Sequence, residues 1–388
     1  MMKNVHRVVI DLVAFDLGSE ILEYLILHEI DAVEVMGCSH ANKCSTDFLV
    51  LSAQRAAELG GQSGVIELAK SVGAKSVLIA DTGGEAYAVT ASLGGRIVHL
   101  SLPKDLTRDH ARQLIVTILH GTGRALVRSD GSRRLYDLAR RVAKSEVSVF
   151  INGPSGSGKE VMARFMHLQS PRKDKEFIAI NCAAIPDNML EAMMFGHEKG
   201  AFTGASTSNV GVIRAADGGT LLLDEISEMS LQLQAKLLRA VQELTVTPVG
   251  GTKPIKVDVR IFATSNRNMT DECRMGRFRE DLFYRLNVFP IQTQALRERP
   301  EDIAAIAYEL VMRHVKDVTE MPLMSPCALD LLMSHSWPGN VRELENVIQR
   351  ALVLKDGHVI TADAIMIDQS SIPDVQSQRV TATASAPN

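Results

Sequence analysis

The sequence predicts an α/β fold: two successive units built on parallel sheets, followed by a helical segment. Three observations carry this reading. Short apolar runs alternate with amphipathic stretches through the first 120 or so residues. A glycine-rich loop, Gly153–Lys159, stands between an apolar run and a stretch of helical periodicity. From Asp302 onward the apolar residues recur at the spacing of one helical face.

In the first unit, Arg7–Leu12 reads as a strand and Ser19–His28 as a helix. Ala32–Met36, Phe48–Leu51, Ser76–Ala80 and Arg96–Leu100 read as further strands. Gly121–Ser132, with Gly121, Gly123 and Gly131, reads as a linker. The second unit continues the strand–helix alternation to about Leu296. Beyond it, Ile303, Ile306, Ala307, Leu310 and Val311 mark one helix. Ser325-Pro326 offers an N-cap followed by proline at the first helical position. Asn340–Glu343 has the form of a capping box, with Val341, Leu344, Val347, Ile348 and Leu352 as the buried stripe.

The chain has 388 residues, which allows two to three domains, each with its own core. A hydrophobic content of 46% against 23% charged is that of a soluble globular protein. A net charge of −4 excludes a globally basic surface, so any contact with DNA needs a local patch. The five cysteines, Cys38, Cys44, Cys182, Cys273 and Cys327, are scattered and odd in number, which points to reduced thiols and the cytoplasm. Cys38, His40 and Cys44 lie close together, but no second ligand pair follows at zinc-like spacing, so no metal site is assigned to them. The apolar stretch Ile21–Ile30 carries Glu23, His28 and Glu29, too short and too charged to cross a bilayer, and no membrane association is expected.

Two motifs carry phosphate chemistry. Gly153-Pro154-Ser155-Gly156-Ser157-Gly158-Lys159-Glu160 follows the apolar run Val147–Ile151 and precedes a helix beginning near Val161. Such a loop turns backbone N–H groups toward a phosphate, with Lys159 reaching the β- and γ-phosphates of ATP. Glu160 stands where the general pattern has Ser or Thr for Mg2+. Downstream, Gly218-Gly219-Thr220-Leu221-Leu222-Leu223-Asp224-Glu225 reads as a buried strand that delivers two carboxylates to its C-terminal edge. Asp224 is the candidate Mg2+ residue, and Glu225 the candidate for polarising the attacking water. Between the two lies Gly200-Ala201-Phe202-Thr203-Gly204-Ala205, a pliable loop whose glycines flank an aromatic and a hydroxyl side chain.

That hexapeptide, with the two phosphate motifs on either side, resembles the AAA+ ATPases of the sigma-54-dependent bacterial activators. The resemblance spans roughly residues 125–366 and implies further residues. Glu160 has the form usual in that family. Residues 200–205 are implied to touch the sigma factor. Asn181 looks like the family's switch asparagine, which holds the catalytic glutamate, here Glu225. Thr264 and Asn266 match the first sensor, and Arg342 in Trp337–Leu344 matches the second, on the nucleotide. Phe278–Leu286 matches the arginine-finger segment and implies Arg279 and Arg285. Pro154 resembles the subgroup that controls flagellar genes, while Gln294-Ala295 replaces a proline pair.

The first unit resembles a receiver domain that has lost its chemistry. Ser52 stands where a receiver has its phosphoacceptor aspartate, and Leu102 where the lysine precedes Pro103. The expected organisation is a degenerate receiver-like domain over 1–121, an AAA+ α/β ATPase subdomain over 122–298, a helical lid over 299–366 and a disordered tail over 367–388. The tail leaves no room for a recognition helix, so no DNA-binding domain of its own is expected. The function implied is ATP hydrolysis coupled to remodelling of sigma-54 RNA polymerase, in a ring and as a homo-oligomer. The alternative is a regulatory subunit that forms mixed rings with a DNA-binding relative.

Overall fold

A computed structural model describes residues 7–27, 30–35, 46–120, 127–202 and 205–367. Cys38, His40 and Cys44, Thr203 and Gly204, residues 121–126 of the linker and the tail beyond Ile367 lie outside the described residues.

The N-terminal domain runs β1 (Val8–Ile10), α1 (Gly18–Leu27), β2 (Ala32–Glu34), β3 (Thr46–Ser52), α2 (Ala53–Glu58), α3 (Gln62–Ser71), β4 (Ala74–Gly84), β5 (Ala88–Ser92), β6 (Ile97–Pro103) and α4 (Arg108–His120). Its sheet has the order β2-β1-β3-β4-β6-β5, parallel except for β5. Val8, Val9 and Ile10 are all fully buried, as a parallel strand covered on both faces requires. Each expected strand forms within a few residues of its predicted ends. β5 is an addition. It is a short edge strand with only Val89 buried, so it lacks the apolar run by which the others are recognised. Leu93, Gly94 and Gly95, all at positive φ, turn it back into β6.

The ATPase part runs α5 (Asp130–Ala143), β7 (Val149–Asn152), α6 (Lys159–Leu168), β8 (Phe177–Asn181), α7 (Asp187–Phe195), α8 (Val212–Ala215), β9 (Thr220–Asp224), α9 (Leu231–Glu243), β10 (Thr245–Val246), β11 (Ile255–Lys256), β12 (Arg260–Ser265), α10 (Met269–Arg274), α11 (Glu280–Leu286) and β13 (Phe289–Gln292). Its five-stranded sheet is all parallel, in the order β13-β7-β12-β9-β8. Side chains alternate between two cores. Leu221, Leu223 and Ala263 pack with α7 and α9 on one face, while Leu222 and Phe262 pack with α5 and α6 on the other.

The end of the expected linker is instead the start of α5. Ser129 caps it by accepting a hydrogen bond from the Ser132 backbone. The Ser-Asp-Gly-Ser run that reads as loop is equally a capped first turn. Strand β12 starts at Arg260. The Arg260 side chain is buried and donates to the Val142, Ala143 and Val147 carbonyls, closing the C-terminus of α5. Burial lowers its pKa to about 10, so it stays charged at neutral pH.

The lid comprises α12 (Ile303–His314), β14 (Leu323–Met324), α13 (Pro326–Ser334), α14 (Asn340–Leu354) and β15 (Val359–Ile360). Ser325 caps α13 as expected, through its Oγ and the Ala328 N–H. By packing, the chain falls into two compact units. One comprises residues 1–128, 300–338 and 342–388; the other comprises 129–299 and 339–341. Lid and N-terminal domain thus share one unit. Within it α12 is buried almost all round, packed between α4 and α13. The Tyr87 hydroxyl donates to the Met321 carbonyl at 2.6 Å.

Candidate active site of the second unit

Strand β7 ends at Asn152 and feeds the glycine-rich loop; α6 starts at Lys159. Gly158 is the N-cap of α6 at φ +99°, a left-handed conformation that favours glycine. A Cβ placed there would meet nothing within 4 Å, so the loop is open on that side. Gly153 is needed for a different reason: a Cβ there would sit 2.0 Å from Thr293 Oγ1. The first N–H groups of α6 have no partner within the helix and face the mouth of the loop, a geometry suited to phosphate.

The loop is clamped from the opposite side by residues that the motif does not contain. Ser157 Oγ donates to the Pro154 carbonyl at 2.7 Å and lies 2.7 Å from Thr293 Oγ1. Arg299 Nη2 donates to the Ser157 carbonyl at 2.8 Å. Asn340 Nδ2 donates to the Ser155 carbonyl at 2.9 Å, and the Val341 N–H donates to the Gly156 carbonyl at 3.0 Å. Asn340 Oδ1 also accepts from the Leu296 backbone, so this amide ties two segments to the loop. Asn340 adopts φ +55°, which asparagine tolerates better than most residues. The carbonyls of Ser155, Gly156 and Ser157 are thereby engaged by residues outside the loop.

Register brings the acidic residues to this edge. Asn181 pairs with Asp224, Ala263 with Leu223, and Ser265 with Asn152. Thr264 Oγ1 donates to Asp224 Oδ1 at 2.6 Å and accepts from the Glu225 N–H at 3.0 Å. Glu225 Oε2 accepts from the Asn266 backbone N–H at 3.2 Å, and Oε1 lies 3.4 Å from Lys159 Nζ. Lys159 is buried and also donates to the Gly153 and Pro154 carbonyls. Glu225 holds φ +52°, strain for a side chain of this kind, and it lies at the point where the carboxylate must be aimed. Cys182, next to Asn181, is pushed up to about 12 by burial and by Asp224 and Glu225, so its thiol is inert at this edge.

The remaining expected residues take the following places. Asn181 donates to Asp224 Oδ2 at 3.0 Å rather than to Glu225, because strand register sets it directly beside Asp224. Glu160 points away along α6 and pairs with Arg164, so only its backbone belongs to the loop. Asn266 uses its backbone N–H, and its side chain is exposed. Arg279 is exposed at the start of α11 and pairs with Asp281 at 2.7 Å, which raises its pKa and lowers that of Asp281. Arg285 is exposed on the last turn of α11. Arg342 lies on α14, in the unit formed by lid and N-terminal domain.

The loop that carries Phe202 springs from a backbone stem. His197 exchanges hydrogen bonds with Asn209 on one side, and the flanking Gly196 and Glu198 bond to Val249 on the other. Gly200 N–H donates to the Ala205 carbonyl at 2.8 Å, closing the loop. Ala201 is half-buried, Ala205 buried and Phe202 exposed.

The N-terminal sheet has a corresponding edge, filled from within. Asp11, just past β1, is 3% exposed and accepts from Arg55 Nε at 3.0 Å. Ser52 ends β3 and caps α2 through the Arg55 N–H at 3.0 Å. Leu102 is buried in β6.

This arrangement defines a P-loop nucleotide site on an AAA+ sheet. Comparison with known proteins takes the class further. Residues 125–292 match the Sigma-54 interaction domain, and residues 297–380 match the AAA+ ATPase lid domain. The chain thus carries a sigma-54 interaction domain followed by an AAA+ lid domain. It is similar to the response regulator protein FleR of Pseudomonas aeruginosa, 57% identical over 59% of this chain and 49% of that protein. It is also similar to the transcriptional regulatory protein FlbD of Caulobacter vibrioides, 51% identical over 62% of this chain and 53% of that protein. The chain thus spans about half the length of these curated relatives. Among solved structures, NtrX from Brucella abortus in complex with ATP matches 93% of this chain and 86% of that one, at 27% identity and a TM-score of 0.57. Among the described residues, no helix is long and apolar enough to cross a membrane.

Proposed function

We propose that this chain is a cytoplasmic, magnesium-dependent ATPase that couples hydrolysis to remodelling of sigma-54 RNA polymerase. The observation that carries the proposal is the gathering of Lys159, Asp224, Glu225 and Thr264 at one sheet edge beside the N-terminus of α6. The complex of NtrX with ATP supports the same reading. The site fits a nucleotide: the loop is open above Gly158, and the Ser155, Gly156 and Ser157 carbonyls are engaged by Asn340, Val341 and Arg299. It also fits Mg2+, since Asp224 is an oxygen donor fixed in orientation by Thr264 and Asn181.

Bound MgATP supplies an activated phosphoanhydride whose charge is partly neutralised by the metal. The residues do the rest. Lys159 leaves the carbonyls of its own loop and binds the β- and γ-phosphates. That move frees Glu225 from its 3.4 Å partner, so that its carboxylate can orient and deprotonate water. Asp224 holds the metal, and Asn181 and Thr264 hold Asp224. Arg279 and Arg285, both exposed, serve a neighbouring subunit of a ring, and Arg342 serves the second-sensor role. Residues 200–205 touch the sigma factor. Glu225→Ala is expected to keep nucleotide binding and lose turnover; undiminished hydrolysis would refute the assignment. Thr203→Ala is expected to keep ATPase activity and lose sigma-54 capture with a transition-state analogue, alone or mixed with a DNA-binding relative.

A further inference from the structure

We infer that His197 is the positioning residue for Phe202: its imidazole parks the Phe202 ring against the stem of the loop until the loop is released. The inference rests on the reading of residues 200–205 as the sigma-54 contact.

His197 is a rigid platform. Its N–H donates to the Asn209 carbonyl at 3.0 Å, and its carbonyl accepts from Asn209 N–H at 2.9 Å. On the other side Val249 N–H donates to the Gly196 carbonyl at 2.9 Å, and Glu198 N–H donates to the Val249 carbonyl at 3.0 Å. The lanes are too close for side chains between them: a Cβ on Gly196 would lie 2.4 Å from the Asn209 carbonyl oxygen. A Cβ on Gly250 would lie 2.9 Å from that of Ala201. The backbone under His197 is therefore held on both sides.

Phe202 is the opposite. It is 46% exposed, and its ring meets the His197 ring edge-on at a centroid distance of 5.0 Å and an interplanar angle of 60°. His197 Nδ1 is buried without a hydrogen-bond partner among the described residues, so the imidazole is placed for this ring contact and not for a polar one. An edge-to-face aromatic pair is weak, worth on the order of 2- to 10-fold in an equilibrium ratio. That strength suits a latch. It biases an exposed apolar ring toward the protein without fixing it there.

The test is chymotryptic cleavage of the full chain after Phe202, followed by mass spectrometry. Cleavage after Tyr284, 67% exposed and on α11, serves as internal reference. His197→Ala is expected to speed cleavage after Phe202 on the order of 2- to 10-fold while leaving Tyr284 unchanged. His197→Phe, which keeps an aromatic edge, is expected to return the rate to within about twofold of wild type. An unchanged rate in His197→Ala, an equal rise at Tyr284, or no return in His197→Phe overturns the latch. Sigma-54 capture is scored separately on the same variants. Selective cleavage with unaltered capture keeps the latch and removes the sigma-contact reading on which its purpose rests.

Discussion

The two parallel sheets of this protein end in opposite ways. At the edge of the N-terminal sheet, Asp11 is buried against Arg55, and Ser52 is spent on capping α2. At the edge of the second sheet, Lys159 and Glu225 pair at 3.4 Å beside a loop that is open at Gly158. Open α/β sheets bind ligands at this edge. A sheet whose own arginine fills the crevice has no charge left to offer. The fold is thus permissive at both edges, and the side chains decide which one does chemistry.

The largest effect that bears on the contrast lies beyond either edge, in the lid. Glu309 is buried on α12, and desolvation raises its pKa to about 7, with Arg313 opposing. The folded state therefore holds a proton that the unfolded state releases between pH 4.5 and 7, so stability falls as pH rises through that window. The loss reaches up to about 3 kcal/mol above pH 7. Glu309→Gln is expected to flatten the pH dependence of Tm between pH 5 and 8; a dependence equal to that of wild type would contradict the assignment.

Removing Asp11 strips Arg55 of its buried partner and the Val13 N–H of its acceptor. Asp11→Ala should cost about 2 kcal/mol in urea unfolding and leave ATP turnover unchanged. A loss of turnover without a loss of stability would mean that the N-terminal edge takes part in catalysis. Tyr87→Phe removes the single hydrogen bond to Met321 and is expected to cost about 1 kcal/mol, read by the same unfolding assay. No change would show that packing alone holds that contact.

The contrast between the edges was half legible in the sequence. Lys159, Asp224 and Glu225 announce themselves because each ends or follows an apolar run, and Ser52 and Leu102 because they stand where chemistry would need other residues. Thr293, Arg299 and Asn340 could not be read as a clamp. They lie 136, 142 and 185 residues from the loop atoms they hold. Asn340 carries a local capping pattern, which gives no sign of its bonds to Leu296 and Ser155. Asn181 was expected to hold Glu225, and strand register sets it beside Asp224. Asp11 and Arg55 are 44 residues apart, and nothing local pairs them. The docking of the lid on the N-terminal domain depends on contacts such as Tyr87 to Met321, 234 residues apart.

The most direct test of the account compares the two edges in one experiment: phosphate release across a MgATP titration for Lys159→Ala and Arg55→Ala, beside the wild type. The account predicts that Lys159→Ala loses turnover on the order of 100-fold or more, whereas Arg55→Ala stays within about twofold of wild type. Turnover retained by Lys159→Ala, or an equal loss in Arg55→Ala, would contradict the claim that only the second edge carries the chemistry.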